Sequence, residues 1–403
     1  MKKISVILLA IALMLGVGSC QKNDGATGPV ETGSMRVYYG FQANPSEEGT
    51  RAYALSTAVP STAWNANIKS LMLLLTDGDG VIRVARTLPI PTDADHEPET
   101  ILVSDVPAAD DYIGYIIANY ETATTAGITP NFTVGSTLGK NIDDLTLSLV
   151  AATGYPAPSV DEPVGTTAYN PAGEVFIART ADIDIVANAA LPTNAAFALT
   201  RAVSLLRVRI NRNTGDGVDN TKIEFMGANA GGAAVRLRKA DTRLQYDATA
   251  TAFASYGAVP ANLIYSPGGW TNTVTAGYVK TSNGDPAVLT DFLTTEQQYY
   301  KDFLILPGGA NDGADMFDIV ITGWAPSGYT VWGAETPLTT GQLVHWNGTI
   351  KRAALANRVL EVNVDLVYPG KGIVPPVVET GQVNISVDLV PWGGIDQYNM
   401  QVR

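Results

Sequence analysis

The 403-residue chain contains a single cysteine, Cys20, and two histidines, His96 and His345. One cysteine excludes a disulfide within the chain, and this Cys/His content excludes a cysteine-rich zinc site or, beyond residue 20, a Cys–His dyad. His96 lies in a Pro/Asp/Glu-rich stretch and His345 precedes Trp346, and the chain lacks a G-x-S-x-G elbow, a P-loop and a dinucleotide fingerprint. We therefore expect a protein that is not an enzyme and that uses no cofactor.

Basic residues are also few, with 26 Lys and Arg against 39 Asp and Glu, which gives a formal net charge of −13. A surface this acidic repels phosphate backbones, so nucleic acid is not an expected partner. Charged residues make up 16% of the chain and hydrophobic residues 46%, which favours a folded chain with a sizeable core over disorder. The abundance of glycine (39) and proline (23) favours many turns and short strands.

Two turns rich in aspartate and glycine, Asp77–Gly80 and Asp312–Asp315, offer oxygen ligands of the kind calcium prefers. Neither completes an EF-hand loop, and turn formation explains both sequences better. We therefore predict no metal site. The many acidic residues include no pair that stands out as the two carboxylates of a glycosidase.

The longest apolar run, Val6–Leu15, follows Lys2 and Lys3 and is too short to span a bilayer. The next residues, Val17-Gly18-Ser19-Cys20, resemble a bacterial lipobox, in which the bond before the cysteine is cut and the thiol carries lipid. Because the sole cysteine stands at this position, we predict that residues 1–20 are a lipoprotein signal peptide and that Cys20 is lipidated. The polar, Gly-rich stretch 21–33 suits a flexible tether. The protein is thus expected to be exported and held on a membrane.

Alternating apolar and polar residues predict β-strands along most of the chain. Met35, Val37, Tyr39 and Phe41 alternate with other residues and predict a half-buried strand. Further strands are predicted at Ile68–Thr76, Tyr112–Tyr120, Glu174–Arg179, Asp182–Ala187 and Leu199–Asn211. Leucine and isoleucine spacings of three and four predict a helix over Leu138–Ala152, and a second short helix is expected over Thr294–Phe303.

The stretch Ala187–Ala196, rich in Ala, Pro and Asn, lies between two groups of strands and suggests a domain boundary near residue 195. We expect an all-β fold with minor helices, built as two consecutive antiparallel β-sandwich domains over residues 52–195 and 196–403. A tether and prosegment containing the first strand, residues 21–51, would precede them.

The end of the chain is strongly patterned, although chain termini are usually polar and frayed. Its apolar residues are Val383, Ile385, Val387, Leu389, Trp392, Ile395, Tyr398, Met400 and Val402. Such a segment predicts a strand with a partner. It is either the last strand of the second domain or a strand donated to another molecule.

Taken in order along the chain, these elements resemble the fimbrillins of Bacteroidetes-type bacteria, the major fimbrial subunits also called type V pilins. The resemblance covers nearly the whole chain and rests on the order and spacing of several pieces. They are the lipobox at Cys20, the strand 35–41, Asn44-Pro45 leading to Arg51-Ala52-Tyr53, Ile68-Lys69-Ser70-Leu71 with its strand and acidic turn, the strand 112–120, the expected helix at Leu138, the strand entry Leu199-Thr200-Arg201-Ala202-Val203 and the C-terminus around Trp392.

The resemblance implies a transthyretin-like sandwich fold and a lipidated precursor on the outer membrane. It also implies that an arginine-specific protease cuts between Arg51 and Ala52, which removes the lipid and the strand carrying Met35, Val37, Tyr39 and Phe41. The C-terminal strand of a neighbouring copy then fills the groove, and repetition builds an extracellular fimbrium that supports adhesion. The implied partners are other copies of the chain, accessory, anchor and tip subunits, the protease and the membrane.

The residues support these steps independently. Arg51 follows a Pro, Gly and acidic stretch, so it is cleavable if that stretch is exposed, whereas Arg36 lies within a strand pattern and is expected to be protected. The donor segment is expected to use Val383, Ile385, Val387, Leu389, Trp392, Ile395, Met400 and Val402. An alternative remains: a surface lipoprotein that binds glycans through its 17 Tyr and 6 Trp.

Overall fold

The computed structural model describes residues 30–41, 68–90, 99–121, 127–155, 166–212, 214–215, 218–259, 261–272, 279–282, 285–288, 298–308, 317–372 and 384–391. Within these ranges the helices are three 3₁₀ turns of three residues each, Val134–Ser136, Ile142–Asp144 and Asn220–Lys222. Nearly everything else that is regular is strand, which confirms the predicted all-β class. None of the described helical turns is long or apolar enough to cross a membrane.

The first half of the described chain contains thirteen strands. They are β1 (Thr32–Phe41), β2 (Leu71–Thr76), β3 (Ile82–Thr87), β4 (Glu99–Pro107), β5 (Ala109–Ala118), β6 (Ile128–Pro130), β7 (Thr146–Leu149), β8 (Thr167–Tyr169), β9 (Phe176–Ile185), β10 (Thr193–Arg201), β11 (Ser204–Arg212), β12 (Thr214–Gly215) and β13 (Val218–Asp219).

The second half adds thirteen more. They are β14 (Ala234–Arg238), β15 (Arg243–Asp247), β16 (Ala252–Tyr256), β17 (Asn262–Pro267), β18 (Thr271–Asn272), β19 (Val279–Ser282), β20 (Asp285–Val288), β21 (Gln298–Ile305), β22 (Phe317–Ala325), β23 (Gln342–Ile350), β24 (Arg358–Leu366), β25 (Lys371–Gly372) and β26 (Asn384–Pro391).

Four larger sheets organise these strands. A seven-stranded sheet has the order β3-β2-β5-β9-β10-β1-β4, and a five-stranded sheet the order β18-β21-β11-β24-β26. A six-stranded sheet, β25-β23-β22-β14-β17-β8, and a four-stranded sheet, β16-β15-β7-β6, complete the set, beside two short hairpins. Most pairs are antiparallel, and the parallel pairs are β1 with β10, β11 with β24 and β17 with β8.

In the described part of the chain, two large hydrophobic cores hold the sheets together. The smaller core lies inside the seven-stranded sheet, which folds over at β10: residues 193–199 of this strand pair with β1, whereas residues 200–201 pair with β9. The larger core joins the outer face of β2 and β5 to the other sheets, for example through an edge-on contact of Tyr115 and Tyr246 at 5.2 Å. All six residues of β2 are therefore buried, which explains its unbroken apolar sequence.

Some strand pairings join residues on the two sides of the predicted boundary. Residue 195, near which the boundary is predicted, lies within β10. Strands β7 and β8, which precede that residue, pair with β15 and β17, which follow it. The predicted strand Leu199–Asn211 is divided between β10 and β11. Leu199 packs in the smaller core, whereas Val203 packs in the larger core.

The predicted helix over Leu138–Ala152 is wrong. The segment forms a 3₁₀ turn at Ile142–Asp144 and then β7, in which Leu147 and Leu149 are buried at a spacing of two. Gly139 adopts φ +78°, a left-handed conformation that stops a helix, and Leu138 is exposed. The second predicted helix is wrong over residues 298–303, which belong to strand β21. This strand has few β-branched residues, and its pairing with β11 and β18 holds it in the extended conformation.

Candidate functional site: the slot that holds the first strand

The first strand, β1, is the central strand of a three-stranded layer. It runs parallel to β10, with Met35 paired to Thr193 and Tyr39 to Phe197. On its other side it runs antiparallel to β4, with Met35 paired to Val103 and Tyr39 paired to Glu99. Both edges of its backbone are therefore occupied by ladder hydrogen bonds. The space between β10 and β4 that β1 fills is called the slot below.

Three side chains of β1 point into the smaller core. Met35 and Val37 are 0% exposed and Tyr39 is 1% exposed. Residues of both slot walls, among them Val103 on β4 and Phe197 on β10, lie in the same core. This confirms the alternation that the sequence predicts for residues 35–39. The backbone of Phe41 pairs with Leu199, and its side chain lies outside the described residues.

The other face of β1 looks outward. Arg36 is exposed, and Tyr38 is partly exposed with a long hydroxyl contact to Asn194 Oδ1 at 3.4 Å. Arg36 is nevertheless held in the middle of two ladders, opposite Asn194 and Leu102. A protease binds its substrate as an extended segment with free backbone groups, so exposure of the Arg36 side chain does not make its peptide bond accessible.

Backbone contacts fasten the start of β1 to its neighbours. Glu31 O accepts a hydrogen bond from Ala108 N at 2.8 Å, and Thr32 O accepts one from Asn188 N at 3.1 Å. At Gly33 a Cβ atom would lie 2.4 Å from Val186 O, so the close approach of the two backbones requires glycine. The first residues of β1 are therefore held closely against the chain segments around Ala108 and Val186.

The strand β4 is the less secure wall of the slot. It is the last strand in the sheet order, and β1 is its one ladder partner among the described strands. Wall β10, in contrast, also pairs with β9 through Thr200 and Arg201. Arg201 Nε donates to Glu174 Oε1 at 2.6 Å, and burial raises the pKa of this glutamate even though Arg201 opposes the shift. The buried pair fixes the end of β10 independently of β1.

Part of the predicted donor segment forms β26, at the edge of the five-stranded sheet. Its backbone is antiparallel to β24, with Ile385, Val387 and Leu389 paired to Val364, Val362 and Leu360. These three β24 residues are buried in the larger core. The structure thus places residues 384–391 against the chain's own second half.

Ion pairs stabilise the sheet that carries β26. Arg207 on β11 donates to both carboxylate oxygens of Asp302 on β21, at 2.8 and 2.6 Å, and both side chains are buried. Arg209 reaches Glu361 on β24 at 3.0 Å. These bonds cross three neighbouring strands, so they fix the register of the strand β24 on which β26 lies.

A buried lysine, Lys301, lies on the face of β21 opposite to that of Asp302. Its Nζ donates to the carbonyls of Pro267 and Gly268 and lies 6.0 Å from the ring of Trp270. Burial lowers the pKa of Lys301 to about 8, and the nearby Asp302 only partly opposes this shift. The lysine holds the turn before β18 against the edge of the sheet.

The remaining predicted sites lie outside the described residues. They are Cys20, Arg51, Ala52, Val383, Trp392, Ile395, Met400 and Val402, together with the turn 312–315. The described turn Asp77–Gly80 is closed by a bond from Gly80 N to Asp77 O at 3.0 Å, and Asp77 pairs with Arg83 at 2.7 Å. Among the described residues no group of three or more His, Cys, Asp or Glu could hold a metal ion.

Sequence reasoning did not identify the walls of the slot. Ile101 and Val103 on β4 show the alternation of a strand, but nothing local indicates that they pair with residues 35–37. The wall β10 begins inside the stretch Ala187–Ala196, whose composition predicts a domain boundary.

No family model matches the chain, and no curated protein matches it. Among solved structures, a candidate cell adhesion protein from Bacteroides eggerthii is 13% identical, with 94% of this chain and 99% of that chain covered and a TM-score of 0.46. Candidate polysaccharide binding proteins from Bacteroides thetaiotaomicron are 9% identical, with 92% of this chain and 98% of that chain covered and a TM-score of 0.41. A fimbrial assembly protein from Parabacteroides distasonis is 7% identical, with 92% of this chain and 99% of that chain covered and a TM-score of 0.39.

Proposed function

We propose that the chain is the structural subunit of a cell-surface fimbrium, made as a lipidated outer-membrane precursor and assembled by exchange of β1 for a strand of another copy. The observation that carries the proposal is the central position of β1 in its layer, between β10 and β4. Loss of a central strand opens two ladder edges together with the pockets of Met35, Val37 and Tyr39. Loss of an edge strand would open only one ladder edge.

The size of these pockets sets the scale of the driving force. Burial of a large apolar side chain contributes roughly 1.5–3 kcal/mol, so the three described side chains account for roughly 5–9 kcal/mol before the cost of ordering a new strand. An incoming strand regains this burial and the ladder hydrogen bonds on both sides. The uncut precursor has no such gain to make, because its own β1 already fills the slot. Proteolysis between Arg51 and Ala52 therefore controls assembly.

The geometry of the exchange favours a filament. The slot and the C-terminal segment are different surfaces of the chain, so a contact between them is head-to-tail and, when it does not close on itself, repeats without limit. The expected partners are further copies, the arginine-specific protease and accessory, anchor and tip subunits.

An assembly assay tests the proposal. The purified precursor is treated with an arginine-specific protease, and polymer is followed by gel ladders and electron microscopy. We expect polymer from the cut chain, and none from the uncut chain, from an Arg51→Gln variant or from a cut chain lacking residues 392–403. A cut chain that loses β1 and stays monomeric would contradict the proposal. Polysaccharide binding by that monomer would favour the glycan-binding alternative.

A further inference from the structure

The slot has a direction that can be read from the side chains filling it. Along β1 the buried residues are Met35, Val37 and Tyr39, so the aromatic site lies at one end and the methionine site at the other. The aromatic end is next to Phe197 of β10 in the ladder, and the methionine end is next to Thr193. A strand that replaces β1 has to match this order of sizes, because packed cores tolerate neither large cavities nor extra volume.

The chain's own C-terminal half limits which residues can be donated. Residues 384–391 form β26, which pairs with β24 along its whole length, from Asn384 opposite Asp365 to Pro391 opposite Arg358. If β26 stays in place, the residues beyond it, 392–403, remain for donation. This segment, called the tail below, is comparable in length with the ten residues of β1.

The tail repeats the buried residues of β1 in reverse order. At a spacing of two it carries Tyr398, Met400 and Val402, whereas β1 carries Met, Val and Tyr at 35, 37 and 39. We propose that the tail of one copy enters the slot of the next in the direction opposite to β1. Tyr398 then takes the site of Tyr39, Met400 that of Val37, and Val402 that of Met35. This inference rests on the proposed function and names the donor register within it.

Volume favours this direction over the other. A tail running in the same direction as β1 places Val402 in the site of Tyr39, which leaves a cavity, and Tyr398 in the site of Met35, which overfills it. The reversed tail keeps a tyrosine in the tyrosine site and only exchanges methionine and valine between neighbouring sites. The match covers these three inward positions and ends there, since Asp396 falls at position 41.

The outward positions and the backbone agree with the reversed direction. Asn399 and Gln401 are polar and take the positions of Tyr38 and Arg36, which lie on the outer face. The reversed tail is antiparallel to β10 and parallel to β4. Each wall can form a ladder with a strand of either direction, so the direction is set by the side chains.

Engineered cysteines distinguish the two directions, because the chain beyond residue 51 contains no cysteine. One copy carries a cysteine in the tail and a second copy carries one on the outer face of β10, where position 38 pairs with Ala196 and position 36 with Asn194. The reversed register brings Asn399→Cys next to Ala196→Cys. The same-direction register brings Asn399→Cys next to Asn194→Cys. The unmatched positions are about 8 Å apart by strand geometry, beyond the usual disulfide range.

The two protease-cut copies are mixed under mild oxidation, and covalent dimers are counted on a non-reducing gel. We expect the 399–196 pair to exceed the 399–194 pair at least tenfold, and the pair of Gln401→Cys with Asn194→Cys to exceed that of Gln401→Cys with Ala196→Cys. The opposite preference overturns the proposed direction. Polymer growth with none of these dimers overturns the register while leaving strand exchange intact. Absence of polymer from cut chains without cysteines overturns the proposed function itself.

Discussion

Tyr39 of β1 lies opposite Phe197 of β10 in a parallel ladder, and both side chains are buried in the smaller core. The N-terminal strand is therefore an integral part of a sandwich whose other strands come from residues 71–201. If residues 35–41 lay on the surface without partners, their removal would open no site. Their position between β10 and β4 gives the proposed proteolysis a structural consequence.

Truncation of Tyr39 should loosen β1. Tyr39→Ala removes a fully buried ring, and we expect a loss of about 3–5 kcal/mol in the free energy of unfolding of the uncut precursor. Tyr38→Ala is the matched control, since Tyr38 lies on the outer face one residue away and should cost less than about 1 kcal/mol. Urea unfolding measures both. Equal losses for the two variants would contradict the burial assigned to Tyr39.

Release of β1 should also free β4, because β1 is the ladder partner of this strand in the described structure. After proteolysis we expect the amides of residues 99–107 to lose hydrogen-exchange protection at the rate at which the N-terminal fragment dissociates. Residues 71–76 of β2, which keep both neighbours, serve as the internal control. Full protection of 99–107 after the fragment has left would show that β4 is held in another way.

An arginine-specific protease should cut after Arg51 and spare Arg36 in the folded precursor. Arg36 is exposed as a side chain but paired on both sides through its strand. Mass spectrometry of limited digests should show a chain beginning at Ala52 and no chain beginning at Val37. Arg51→Gln should prevent release of the prosegment. Rapid cutting after Arg36 would mean that β1 opens more readily than its ladders indicate.

Lys301 should make stability depend on pH in an alkaline window. Its pKa is about 8 in the folded chain against an ordinary value of 10.5 for lysine, so between these values the unfolded chain binds the proton and the folded chain largely does not. Stability therefore rises with pH relative to Lys301→Met, by roughly 1.5 kcal/mol between pH 8 and 9.5. Urea midpoints of both proteins at the two pH values test this. A constant difference would mean that Lys301 titrates normally.

The sequence predicts strands well where burial alternates or is continuous. Met35, Val37 and Tyr39 identify β1, and the apolar run from Leu71 to Leu75 identifies β2. The failed helix arose because Leu138, Ile142, Leu145 and Leu149 have helical spacing by coincidence, while Leu145, Leu147 and Leu149 also have strand spacing. Tertiary packing chose the second pattern.

Pairing partners could not be predicted in the same way. The slot joins residues 32–41 to 99–107 and to 193–199, and no local signal in any of these segments specifies the others. The use of residues 384–391 as β26 was one of two readings that the patterned terminus allowed. Long-range pairings are decided by the whole core, and their sequence determinants are spread over many residues.

We propose that β1 must leave the slot before subunits join. A reversible lock tests it: Tyr38→Cys and Ala196→Cys, a directly paired outward position on β1 and β10, are introduced in a Cys20→Ser background. After proteolysis the oxidised variant should remain monomeric, and a reducing agent should start polymer growth, whereas either single-cysteine variant should polymerise regardless of redox state. Polymer growth at the normal rate while the disulfide holds β1 in the slot would show that subunits join without the exchange of β1.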